Sequence, residues 1–172
     1  MDCDGHRQRY ACGTMKATMN PEQLRKHLGS LLVGLQFGLI LLLGASVVPV
    51  ALAGQVPLTA ALIAAAGLAL AAWALWAYPP GSFNIRPTPR ADGQVVRRGP
   101  YRWIRHPMYS SIALCGLACA CAVQQAWVWL ALAAMGLVLL TKALLEERWM
   151  TEQHPDYADY QAHTKRFVPW LL

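Results

Sequence analysis

Charge is missing from most of this chain, and that absence is the first constraint. Between His27 and Arg86 there is no Asp, Glu, Lys, Arg or His, and the run from Pro107 to Thr141 is again uncharged. More than half of the 172 residues are apolar, too large a share for one soluble domain of this size. A Gly-x-Gly-x-x-Gly after a strand pattern is also lacking, which excludes a soluble dinucleotide-binding fold as the home of any nucleotide-like cofactor. No repeat, heptad or low-complexity tract is present. Cys3, His6 and Cys12 match no tight ligand spacing, so residues 1–19 read as a disordered leader and no metal site is expected. The apolar segment that follows is too long for a signal peptide and has no small-residue cleavage site.

What is there fits a bilayer. A hydrocarbon core of ~30 Å takes roughly 20 apolar residues per helix, so the first uncharged run holds two spans with a turn at Gly54, Gln55 and Pro57. The second run, broken by Gln124-Gln125 beside Trp127 and Trp129, suits a helical hairpin turning at an interface. Its helices are short, so tilt is expected, or a hairpin leaning on the first pair. The expected fold is therefore an all-α integral membrane protein of about four spans in two hairpins, near 28–53, 58–78, 108–123 and 127–148. Asn20-Pro21-Glu22-Gln23 has the form of a helix N-cap, which puts the start of ordered structure there. Residues 20–78 then form an N-terminal hairpin, and 79–172 a core of loop, second hairpin and tail.

Positive charge sets the orientation. Arg25 and Lys26 flank the first helix, six arginines from Arg86 to Arg105 fill the middle loop, and Arg148, Lys165 and Arg166 stand near the end, while both short turns have none. Positive residues stay inside, so both termini and the middle loop are expected in the cytoplasm. The net charge of +6 is explained by this topology and calls for no nucleic acid. Cys115, Cys119 and Cys121 are small residues of the kind that serve close helix packing, and a single Gly34-x-x-x-Gly38 is a weak dimer signal.

Three constellations carry chemistry. The first is Gly99-Pro100-Tyr101-Arg102-Trp103-Ile104-Arg105-His106-Pro107-Met108-Tyr109, where an Arg-His pair directly precedes a Pro able to open a helix. A helix start has unsatisfied N–H groups and partial positive charge, a natural seat for a carboxylate or phosphate. The second is Glu146-Glu147, whose side chains point about 100° apart on a helix, so that only one can face a given partner. The third is the tail from Tyr157 through Tyr160, His163 and Arg166-Phe167-Val168-Pro169 to Trp170, whose spacing suits an amphipathic helix along the membrane surface.

Taken in order, Gly99-Pro100-Tyr101, Arg105-His106-Pro107-Met108-Tyr109, Glu146-Glu147 and the tail with Tyr157, Tyr160 and Arg166-Phe167-Val168-Pro169 resemble the isoprenylcysteine carboxyl methyltransferase family, which is related to the phospholipid N-methyltransferases. The resemblance covers about residues 80–172. It implies an integral membrane enzyme that uses S-adenosylmethionine, with a cytoplasmic cofactor site drawn from Tyr101, Arg105, His106, Tyr109, Ser111, Glu146 and Glu147. Ser111 stands where the family often has Gly.

The residues themselves are consistent with that implication. A cofactor carboxylate suits the helix start with Arg105 or His106 beside it, a glutamate accepts from ribose hydroxyls or an ammonium, and Trp103, Tyr101 or Tyr109 suits the adenine or sulfonium. His106, Glu146 and Arg166 are the groups able to orient or deprotonate an acceptor, with His106 and Arg166 the expected catalytic pair. The acceptor is expected to be lipophilic or small, and the setting a bacterial inner membrane. The alternatives are a steroid-type membrane reductase using a nicotinamide cofactor and a noncatalytic four-helix membrane protein.

Overall fold

The computed structural model describes residues 21–77 and 96–169. The expected leader, with Cys3, His6 and Cys12, the Asn20 cap, Arg86 of the middle loop and Trp170 lie outside the described residues. The described chain forms five α-helices: α1 (Pro21–Leu52), α2 (Leu58–Ala77), α3 (Pro107–Val123), α4 (Ala126–Gln153) and α5 (Tyr157–His163), with a 3₁₀ turn at Gly99–Arg102. No strand is present among the described residues; a single parallel bridge joins Ile104 to Lys165.

Three of these helices, α1, α2 and α4, are long and apolar enough to cross a membrane. Helix α3 has 17 residues, and at 1.5 Å per residue its ~26 Å falls short of a ~30 Å core. Helix α4 has 28 residues, ~42 Å, so its last turns stand beyond such a core. Two helices therefore extend well past the spans expected at 28–53 and 127–148: α1 runs from Pro21, the residue at which the sequence pattern opens a helix, and α4 continues five residues beyond 148, to Gln153. Charge marks where the bilayer ends, whereas helical hydrogen bonding continues past it.

The helix ends gather in one place. Arg25 near the start of α1 pairs with Glu152 near the end of α4 at 2.8 Å and lies over the Trp149 ring. Arg98 donates through Nε to the Ala77 carbonyl at 2.6 Å, satisfying a carbonyl in the last turn of α2 from just before the 3₁₀ turn. Gly99 makes the turn possible: its φ is +59°, and a Cβ there would come within 2.7 Å of the Ala77 Cβ. At the far end of α3, Gln124 adopts a left-handed conformation (φ 54°) and donates its N–H to Ala120, so the expected turn at Gln124-Gln125 is present.

Packing departs from the two-hairpin scheme. Helices α1 and α2 are neighbours in chain order, yet α2 packs on α3, while α1 packs on α3 and α4. The reason lies in α2's small residues. Ala60, Gly67 and Ala74 are buried at seven-residue spacing, a narrow seam that lets backbones approach where lipid gives helices no hydrophobic drive to associate. At Gly67 a Cβ would lie 2.9 Å from Cys115 Sγ and 3.1 Å from the Ser111 carbonyl oxygen, so Cys115 is a packing residue. Gly34 and Gly38, by contrast, have nothing within 4 Å of an added Cβ. Leu43, Ala120, Val128, Ala131, Met135 and Leu139 form the core between α1, α3 and α4.

Gly67→Leu is expected to force α2 off α3 and cost ~1–3 kcal/mol of stability, whereas Gly34→Leu costs almost nothing. Thermal melts of both variants in detergent check this; equal melting temperatures would mean that the seam is not a tight contact.

Candidate active site

The Arg105-His106-Pro107 segment is held from both sides. Pro107 occupies the first position of α3, where its missing N–H is no loss. Upstream, the chain runs beside the tail: Lys165 donates its N–H to Trp103 O at 2.9 Å, Arg105 to Lys165 O at 2.8 Å, and His106 to Arg166 O at 3.0 Å. The His106 carbonyl accepts from the N–H groups of Tyr109 and Ser110, but the imidazole makes no cap to its own helix. It reaches across to α4 instead.

There it meets Glu147, a carboxylate buried to 5% exposure and surrounded by donors. Oε1 accepts from Arg105 Nε at 2.9 Å and Arg166 Nε at 3.1 Å and faces His106 Nε2 at 3.1 Å; Oε2 accepts from Arg166 Nη2 at 2.8 Å. The Arg166 contact is a two-pronged fork, the strongest geometry for this pair, and that hydrogen bonding holds its guanidinium above its ordinary value. Arg105 spends its remaining donors on the tail, at Gln161 O (3.1 Å), Thr164 O and Thr164 Oγ1. One carboxylate thus joins the start of α3, the end of α4 and the tail.

Glu146 is different, as helix geometry requires. Its side chain is one-third exposed. Tyr109 donates its hydroxyl to Oε2 at 3.1 Å, and His106 Nδ1 lies 3.7 Å away. The His106 and Tyr109 rings stack in parallel, centroids 5.2 Å apart, with Phe167 tilted against the imidazole at 5.9 Å.

Arg105, His106, Tyr109, Glu146, Glu147 and Arg166 therefore come together, while Ser111 and Tyr101 are engaged elsewhere. Ser111 is buried, gives its hydroxyl to Met108 O at 2.7 Å and turns its carbonyl to Gly67. Tyr101 packs with Ala74 and Ala77 and accepts the Tyr160 hydroxyl at its carbonyl. The tail is not a long surface helix. α5 has seven residues, after which the chain folds back to pair with Trp103–His106, because buried Tyr157 and Tyr160 anchor it inward. Burial also pushes the Tyr157 phenol well above its ordinary range, so it stays protonated. Gln161, Thr164 and Ser110, which donates to Phe167 O at 2.7 Å, had no sequence signal, since their partners are distant in the chain. Lys142 and Gln36 also meet across α4 and α1; a lone Gln in a long apolar run was the available sign of that contact.

Below this cluster lies a cavity of about 520 Å³. Leu70 and Trp73 of α2, Ala113, Leu114 and Leu117 of α3, and Gly136 and Leu139 of α4 line it, Tyr109 joins it to the charged cluster, and Phe167–Pro169 of the tail complete it. It exists because α2 and α4 both pack on α3 and make no extensive contact with each other. Among the described residues no group of three His, Cys, Asp or Glu side chains is placed to hold a metal ion.

A helical membrane protein with an ion cluster at the head of an apolar cavity is the class these features define. The phospholipid methyltransferase family matches residues 56–156, more than half of the chain, and the chain belongs to that family. Its membership agrees with the resemblance to the related isoprenylcysteine carboxyl methyltransferases. No curated protein and no solved structure matches the chain. The match takes in α2, α3 and α4 with both glutamates, and leaves α1 and the tail from Tyr157 outside it.

The two glutamates are expected to differ in stability. Glu147→Gln leaves Arg105 and Arg166 without their counter-charge and is expected to cost about 3 kcal/mol. Glu146→Gln, partly exposed and still an acceptor for Tyr109, is expected to cost less than ~1 kcal/mol. Chemical or thermal unfolding in detergent measures both, and equal losses would contradict the unequal burial.

Proposed function

We propose that this protein is an integral membrane methyltransferase that uses S-adenosylmethionine and methylates a lipophilic acceptor lying in the cavity between α2, α3 and α4. The observation that carries the reading is the junction at Tyr109, where a half-open carboxylate and a stacked imidazole meet an apolar chamber. The donor set fits the cofactor: Glu146 has acceptor capacity beyond the Tyr109 hydroxyl, and the aromatic faces of Tyr109 and Phe167 suit a sulfonium or an adenine. When bound, S-adenosylmethionine supplies an electrophilic methyl group.

Each residue then has a distinct part. Glu146 accepts hydrogen bonds from the cofactor's ribose hydroxyls or ammonium. Glu147 is occupied by Arg105, His106 and Arg166, so its part is to hold those groups in place. Arg166 is partly exposed and engages Glu147 through Nε and Nη2, which leaves N–H donors to orient an acceptor carboxylate or phosphate. A carboxylate or thiolate acceptor needs no base; an amine acceptor must lose a proton, and His106 takes it. Rate enhancement comes from in-line positioning and from apolar walls that keep water away from the reacting centre.

The positive charge of Arg25, Arg97, Arg98, Arg102 and Arg148 at one end supports a cytoplasmic side for it. With α3 as a short, tilted fourth span, the acceptor enters sideways from the bilayer. The reductase and noncatalytic alternatives have no finding in their favour.

Calorimetry of the protein in detergent with S-adenosylmethionine or S-adenosylhomocysteine tests the reading. Glu146→Gln is expected to weaken binding roughly ten- to a hundredfold, the loss of one charge-assisted hydrogen bond of ~1.5–3 kcal/mol. His106→Ala is expected to lower turnover in a folded protein. Gly136→Leu, at a position with nothing within 4 Å of an added Cβ, is expected to hinder the lipophilic acceptor and spare cofactor affinity. A folded protein that binds neither cofactor form at millimolar concentration would rule the enzyme reading out.

A further inference from the structure

Lys142 is among the most deeply buried side chains in the described structure, at 1% exposure, in the apolar middle of α4. An ammonium in such a place is costly unless something answers it, and a leucine would pack there without that cost. Three groups surround it. Nζ donates to Gln36 Oε1 on α1 and lies 5.0 Å from the centroid of the Tyr109 ring. Glu146 stands one turn further along α4, at the spacing where lysine and glutamate ordinarily close an ion pair.

That pair is not closed. The groups within reach of the Glu146 carboxylate are the Tyr109 hydroxyl and His106 Nδ1, while the Lys142 ammonium is turned to α1 and the face of Tyr109. We infer that Gln36 is a positioning residue that holds the Lys142 ammonium away from Glu146, leaving that carboxylate open to the cofactor. The inference rests on the functional reading above and adds to the site a helix that lies outside the matched residues 56–156. Gln36 suits the task chemically. Its amide oxygen accepts the ammonium without bringing a second negative charge into the bundle, and the π face of Tyr109 gives the cation a second partner. The same cation thereby backs the ring whose hydroxyl orients Glu146. Without the amide, the flexible lysine stem lets the ammonium swing to the carboxylate one turn away and neutralise it.

The test is a double-mutant cycle read by S-adenosylhomocysteine calorimetry on the full-length protein in detergent, with melting temperature measured alongside. Gln36→Met removes the amide at nearly constant volume and is expected to weaken binding about tenfold or more. Adding Lys142→Met removes the ammonium that would occupy Glu146 and is expected to restore affinity to within about threefold of wild type. A merely structural contact would lose and regain melting temperature and affinity together. The expected signature is therefore a Gln36→Met variant that melts near wild type yet binds weakly, and an affinity loss that only tracks a lowered melting temperature would overturn the inference. Gln36→Leu is a second way to delete the acceptor and is read identically, and Gln36→Glu, which keeps an acceptor for the ammonium, is expected to bind as wild type. Wild-type affinity in Gln36→Met, or a double variant as weak as that single one, would overturn the inference while leaving the functional reading intact. Failure of the wild-type protein itself to bind would remove both.

Discussion

The carboxylate of Glu147 is the point on which the working end of this protein depends. It is buried, and a buried charge persists only when it is paired and fully hydrogen-bonded. Here the pairing ties α4 to two other parts of the chain, through Arg105 and His106 before α3 and Arg166 in the tail. Each arginine would itself be a liability without the acid. Mutual need therefore fixes the register of the tail, and the backbone bridge between Ile104 and Lys165 follows from that closure. The same closure brings Phe167 to His106 and completes the cavity.

Below the charged end, the controlling constraint is the scarcity of side-chain volume along α2. Lipid tails are as apolar as leucine, so helices associate through close packing and polar contacts. The seam at Ala60, Gly67 and Ala74 directs α2 onto α3, and α1 joins α4 through the shared core and the Arg25–Glu152 pair. With α2 and α4 on different sides of the short α3, an apolar space remains between them. The cavity thus opens where α2 and α4 flank α3 without packing on each other.

The adjacent glutamates show how one helix serves two purposes. Turned about 100° from each other, one faces the interior and is consumed by structure; the other faces the junction of cluster and cavity. The arginine expected to meet the cofactor, Arg105, is likewise spent on Glu147 and on the carbonyls of the tail. On the proposed function, recognition falls to less crowded groups, Glu146, Tyr109 and the exposed part of Arg166, while the buried set keeps them in register.

By itself, the sequence determined the membrane class, the all-helical fold and most helix limits, because the bilayer imposes a length and a polarity that composition alone reveals. It also marked Arg105, His106, Tyr109, Glu146, Glu147 and Arg166, since charged and aromatic residues at the border of an apolar run are costly unless used. It was silent on which glutamate faces inward and on α2 choosing α3 over α1, and the resemblance grouped Ser111 and Tyr101 with a cluster from which the fold turns them to other partners. The lone Gln36 in an apolar run hinted at a buried contact, but not at its partner Lys142, 106 residues away. Those outcomes depend on which helix faces meet. That choice was left to the tertiary structure, where burial makes every unpaired charge expensive and every missing side chain an invitation to contact.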